Sequence, residues 1–320
     1  MAHETRRTGP GGDLPATPLP ASLWRLRLRS LLERSARFWK VFARSRLGMV
    51  GLLMLLVFVV MALTAPGLTS AGILQNPNRQ NLSDRFEGPS SDYWFGTDQL
   101  GRDLFSRLWW GAQASLLIGF AATAIIMVLG SLIGLVSGYY GGWIDEILMR
   151  VTDFFLVVPF LLLVLILAAT VPPPGTSISK VVLVIGISLW AFTARLVRSQ
   201  VLSLKERQFV ERARSAGAGD FRIMIRHIFP NAFTLVFAEA ILTVAVVILL
   251  ESFLSFIGIA PADMITWGKT LQEAYVWSAT ETGLLVWVLM PGLYIVALVL
   301  GFTLLGFALD ELVNPRLRRR

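Results

Sequence analysis

Few residues in this chain are placed to do chemistry. The most conspicuous are two carboxylates, Glu239 and Glu251, set in an otherwise apolar run over 232–259. A carboxylate inside an apolar span is costly, so it marks a water-filled path, a proton relay or a cap for a partner's polar group. Both glutamates are pathway candidates, and an ion-coupled secondary transporter using them is one reading of the chain. The rest of the repertoire is thin. There is no cysteine, which removes thiol nucleophiles, thiolate metal sites and disulfides. Two histidines, His3 and His227, cannot assemble a histidine metal cluster. Gly268, Lys269 and Thr270 end like a phosphate-binding loop, but Asp263 stands where its first glycine belongs. No G-x-S-x-G or H-E-x-x-H grouping is present. The expectation is a chain with no catalytic residue, no metal site and no cofactor of its own.

The elements that carry these residues are set by hydropathy. Of 320 residues 55% are apolar and 16% charged, with a net charge of +8 and a mean hydropathy of +0.64. That is too apolar for a soluble domain, and the basic balance fits cytoplasmic loops rather than nucleic acid. Residues 1–22 read as a disordered cytoplasmic tail. Residues 23–46, where Trp24, Leu28, Leu31, Phe38 and Phe42 recur among eight Arg and Lys residues, read as a basic amphipathic helix at the lipid interface. Six spans are expected over 47–65, 111–138, 147–170, 177–197, 232–259 and 282–309, with a coupling loop over 198–231 and a basic tail over 316–320. Gly130, Gly134 and Gly138 repeat every four residues and prepare one helical face for close approach by a neighbour. The GYYGGW stretch reads as a tight cytoplasmic turn, and Pro159 as a kink within the third span. With both termini in the cytoplasm, 23 of the 29 Lys and Arg fall on inner segments, which supports that orientation.

The polar island over 206–231 interrupts the spans. Its first half suits a helix without burial, and Gly217 and Gly219 bracket a break. Asp220 is expected to cap a second helix, in which Phe221, Met224, Ile225 and Ile228 share one face beside Arg222. Pro230 is expected to stop that helix and turn the chain back into the membrane. Such an island is either a solvated connector or a docking surface for a soluble partner.

The island resembles the cytoplasmic EAA loop of permease subunits in binding-protein-dependent ABC importers, whose pattern runs EAA, three residues, Gly, nine residues, then I-x-L-P. Glu211, Ala213, Gly217 and Pro230 match it, while Arg212, His227 and Phe229 depart from it. The stretches FGTDQLGRDLFSR, GYYGGWIDEILMRVTDFFLVVP, ARLVRSQVLSLKERQFVE and ESFLSFIG are similar, in order, to C-type subunits of the dipeptide, oligopeptide and nickel branch, over roughly residues 44–315. The resemblance implies an all-α integral membrane protein with the six-helix, type I ABC importer (MetI-like) permease fold. It implies an importer of dipeptides or oligopeptides, with nickel or another solute as the alternative. Expected partners are a homologous B-type permease, two ABC ATPase subunits carrying ATP and Mg, an extracytoplasmic solute-binding protein and membrane lipid, in the inner membrane of a bacterium or archaeon. It assigns ATPase coupling to Glu211, Ala213, Gly217, Asp220, Phe221, Arg222, Met224, Ile225, Phe229 and Pro230. In the GTD-x-x-GRD stretch, acids and arginines are expected to pair locally and cap the second span. The outer loop over 260–281 reads PADMITWG where the family has PPTPSWG.

Overall fold

The computed structural model describes residues 39–170, 177–259, 261 and 264–313. The chain divides into two compact units, Met1–Arg44 and Ser45–Arg320. In the first, the described residues end a helix in which the Trp39 and Phe42 rings lie 5.8 Å apart. The expected tails over 1–22 and 316–320, and most of the interfacial helix over 23–46, lie outside the described residues.

The second unit is helical, and no strand occurs among its described residues. Helix α1 (Arg46–Ser70) opens on Ser45, whose hydroxyl accepts the Gly48 N–H. Helix α2 (Leu104–Tyr140) is 37 residues long, about 55 Å at 1.5 Å per residue. Asp103 caps it by accepting the N–H groups of Phe105 and Ser106, an arrangement worth about 1 kcal/mol. Because α2 runs through Tyr140, the turn expected over the whole GYYGGW stretch narrows to Gly141.

The third span is not the single kinked helix expected over 147–170. Helices α3 (Gly142–Val157) and α4 (Phe160–Thr170) meet at 101°. Pro159 has no N–H to donate, its ring crowds the carbonyl four residues back, and it forces Val158 into the extended region at ψ 127°. Among the described residues, five helices are long and apolar enough to cross a membrane, or six if this bent pair counts as one.

Helix α5 (Ile178–Lys205) extends eight residues past its expected end at 197, carrying Arg198 and Lys205 with it. Beyond it come α6 (Gln208–Ser215), α7 (Asp220–Ile223), a π-helical turn (Met224–Ile228) and α8 (Phe229–Phe256). The segment after α8 contains α9 (Trp267–Val276), and α10 (Leu285–Val313) closes the unit.

Lipid tails are as apolar as leucine, so span packing relies on close fit rather than on expulsion of water. The α2–α5 contact shows how. A Cβ on Gly130 would lie 2.6 Å from Thr193 Cβ, one on Gly134 2.5 Å from the Ala194 carbonyl oxygen, and one on Gly138 2.9 Å from Val201 Cβ. The backbones therefore meet along a seam that admits no side chain. Around it a core of Ile118, Ile126, Ile185 and Val201 continues into Val210, Ile223 and Ile228 of the elbow. A second core, with Leu55, Phe58, Leu108, Ile248, Trp267 and Leu298, joins α1, α2, α8, α9 and α10.

Candidate functional site

The polar island forms a hydrogen-bonded elbow. Helix α6 ends at Gly217, whose φ of +81° lies in the left-handed region. The Gly217 N–H donates to the Arg214 carbonyl and the Ala218 N–H to the Ala213 carbonyl, each at 3.0 Å. These two bonds close a Schellman-type stop. Nothing lies within 4 Å of a Cβ built on Gly217, so the backbone angle alone demands glycine there. Gly219, at φ −69°, is the N-cap of α7 and offers no side chain for capping.

Asp220 does not cap the helix as expected. It is the first residue of α7, and its carboxylate instead accepts the Tyr139 hydroxyl at 2.6 Å. The Lys205 ammonium sits 5.7 Å above the Tyr139 ring centroid. About two turns earlier on α5, the Arg198 guanidinium donates to both carboxylate oxygens of Asp145 at 2.6 and 2.5 Å, and the Ser137 hydroxyl donates to Asp145 as well. The ends of α2, α3 and α5 and the start of α7 are thus joined by side chains.

The apolar face expected from Phe221, Met224, Ile225 and Ile228 is divided. Ile223, Met224 and Ile228 are buried, whereas Phe221 is 73% exposed and Ile225 45%. The buried stripe is centred on Ile223 and Met224 rather than on Phe221, and a π turn follows it. The Phe229 N–H donates to the Met224 carbonyl, five residues back, which widens the turn and rephases the side chains. The same widening accommodates Pro230. Far from stopping the helix, Pro230 lies in the first turn of α8, and the segment from Asp220 to Phe256 passes as one candidate span. Around Phe221 and Ile225 the surface carries exposed Phe209, Glu211, Arg212, Arg222 and Arg226, while Ala213 packs inward. Phe229 is half-buried and Pro230 exposed. The elbow thus exposes Phe209, Phe221 and Ile225 on a segment that also exposes Arg212, Arg222 and Arg226.

The two glutamates do not share a surrounding. Twelve residues leave them about 120° apart around α8, so they lie on different faces of that helix. Glu251 is fully buried, its Oε1 accepting the Ser255 hydroxyl at 2.6 Å. The hydroxyls of Ser115, Ser252 and Thr266 lie around it, and its Oε2 has no hydrogen-bond partner among the described residues. Glu239 is half-buried.

At the far end of α2 lies a second charged group. Arg102 donates to Asp98 at 2.6 Å and to Glu273 at 2.9 Å, and Arg107 lies 3.1 Å from the same Glu273 oxygen and 3.6 Å from Asp98. The Asp98–Arg102 pair and the Asp103 cap follow the local pairing expected of the GTDQLGRD stretch. Glu273 does not, because it arrives from α9, 166 residues beyond Arg107. Gly268 and Lys269 sit in the first turn of α9, and a Cβ on Gly268 would lie 2.3 Å from the Ser252 carbonyl oxygen. Gly268 thus serves close backbone packing of α9 on α8.

The model of the family "Binding-protein-dependent transport system inner membrane component" matches residues 130–319. That of the "N-terminal TM domain of oligopeptide transport permease C" matches residues 34–89. A dipeptide transport system permease protein of Alkalihalophilus pseudofirmus is 36% identical over 88% of this chain and 89% of its own length. An oligopeptide transport system permease protein of Bacillus subtilis is 34% identical over 90% and 92%. A glutathione transport system permease protein of Escherichia coli is 36% identical over 88% and 90%. Among solved structures, a chain of the MetNI methionine ABC transporter in an inward-facing conformation superposes with a TM-score of 0.51 at 18% identity, covering 66% of this chain and 95% of that one. This likeness extends the fold to the MetI-like permeases. The chain therefore belongs to the family of binding-protein-dependent transport system inner membrane components.

Proposed function

We propose that this chain forms one half of the pathway of an ATP-driven peptide importer, with a B-type permease as the other half. Both termini and the elbow face the cytoplasm. There Phe221 and Ile225 enter a cleft on one of two ATPase subunits, which bind ATP and Mg and hydrolyse the nucleotide. A solute-binding protein delivers the ligand on the opposite face. ATP binding draws the ATPases together, moves the elbows and tilts the spans, and hydrolysis resets them. The observation that carries this reading is the exposure of Phe221 and Ile225 on an elbow otherwise fixed by hydrogen bonds. Exposed apolar side chains amid arginines serve a docking surface better than a solvated loop. A peptide ligand is supported by the dipeptide and oligopeptide transport system permeases among the relatives. An ion-coupled mechanism through Glu239 and Glu251 draws no support from their separate surroundings.

The test is uptake of labelled dipeptide into proteoliposomes holding the complete transporter, with ATP inside or outside and the proton gradient collapsed. Uptake that follows ATP on the elbow side supports the reading. Uptake that ignores ATP and stops with the gradient overturns it.

A further inference from the structure

Helix α2 holds, at its two ends, the two charged groups just described. At the elbow end Tyr139 is 3% exposed and donates to Asp220, the first residue of the docking helix. Behind it, the Gly130, Gly134 and Gly138 seam presses α2 onto α5 without a side chain between them. At the other end Arg107, in the first turn, is 2% exposed. It shares one oxygen of Glu273 with Arg102. The residues between include no proline, and α2 runs through all 37 residues as one continuous helix. Displacement at one end of such a helix is delivered to the other.

We infer that α2 is a push rod joining the docking elbow to an ionic clasp, in which Glu273, gripped by Arg102 and Arg107, holds α9 against the opposite end of the transporter until the elbow moves. This inference rests on the elbow being the ATPase docking surface. The clasp suits the role of a two-position element. Its charges are nearly dry, so the pairing is held by geometry rather than by a screened field, and all of its grip on α9 passes through one carboxylate. The Trp267 indole N–H donates to the Leu108 carbonyl at 2.8 Å, which gives α9 a pivot beside the clasp. Tyr139, Arg107 and Glu273 are positioning residues. None of them is required to touch the ligand.

Because the chain has no cysteine, the clasp can be bridged selectively. Arg102→Cys and Glu273→Cys are introduced together into the complete transporter in proteoliposomes with its solute-binding protein. A reducible bis-methanethiosulfonate then links them. Bridging should lower ATP-driven peptide uptake at least about tenfold, and reduction should restore it. Uptake that persists undiminished in the bridged complex overturns the inference. If the double variant does not co-purify with its partners, Glu273→Gln carries the test. ATP hydrolysis without the solute-binding protein should rise about fivefold or more as the clasp loosens, and an unchanged rate overturns the inference. Loss of ATP-driven uptake in the unmodified transporter would instead count against the docking reading, so the two failures are distinct.

Discussion

Arg198 on α5 grips Asp145 on α3 with two parallel hydrogen bonds of 2.6 and 2.5 Å, on the side of α2 where the elbow leaves the spans. Both side chains are partly buried. The pair is therefore less screened than a surface ion pair, and its forked geometry is fixed. Asp145→Asn should destabilise the assembled protein by about 2 kcal/mol, read as a lower unfolding temperature in detergent. Glu146→Gln, which removes an exposed pair to Arg150 at 3.9 Å, should leave that temperature nearly unchanged.

Gly134→Leu should cost about 1–3 kcal/mol by prising α2 from α5, since its first added atom already meets the Ala194 carbonyl at 2.5 Å. Reduced recovery of folded monomer after extraction is the measurement. Gly219→Ala should be tolerated, because that site has ordinary φ and open space.

Phe221→Ala should leave the isolated chain as stable as the parent, since the side chain is 73% exposed. It should weaken ATPase co-purification by about 2 kcal/mol, roughly 30-fold in affinity. Gly217→Asp acts differently, because a substituent there must adopt φ near +81°. Its expected effect is a misdirected elbow, with uptake per ATP falling while insertion into the membrane persists.

In the loop between α1 and α2, the hydroxyls of Ser83 and Tyr93 hold the Asp84 carboxyl below its ordinary range, and the same bond to Asp84 raises the Tyr93 phenol above its own. A depressed acid stabilises the fold above its unfolded pKa, and that contribution is lost as pH falls through the folded value. A raised phenol stabilises below its unfolded pKa, and that contribution is lost as pH rises through the folded value. Fluorescence of the neighbouring Trp94 should therefore be flat through neutrality and change at both extremes. Tyr93→Phe should remove the alkaline change and move the acid one upward, toward the ordinary carboxylate range.

Hydropathy located the spans because a membrane imposes one length and one polarity on each. It could not show that the span around Pro159 folds sharply, since a kinked span and a broken one have the same composition. The elbow was legible through Gly217, whose need for positive φ is local. Asp220 was misread because its acceptor role is filled from Tyr139, 81 residues away. The tyrosine was visible only as part of a turn, and nothing near it pointed to the elbow. Glu273 gave no signal at all, for its two arginines, one in the loop before α2 and one in the first turn of α2, are far away in the chain. The shared face of Phe221, Met224, Ile225 and Ile228 followed from helical spacing alone, which does not say that burial centres on Ile223 and Met224 and leaves Phe221 and Ile225 outside.

That wide turn between Met224 and Ile228 also sets the azimuth of everything after it. Rewinding the same residues as a regular α-helix would instead swing Phe229–Phe256 by about 100°, carrying Glu251 out of its nest of hydroxyls. The surplus residue is thus a phase key, which lets the elbow turn and the long apolar helix after it face two different neighbours at once.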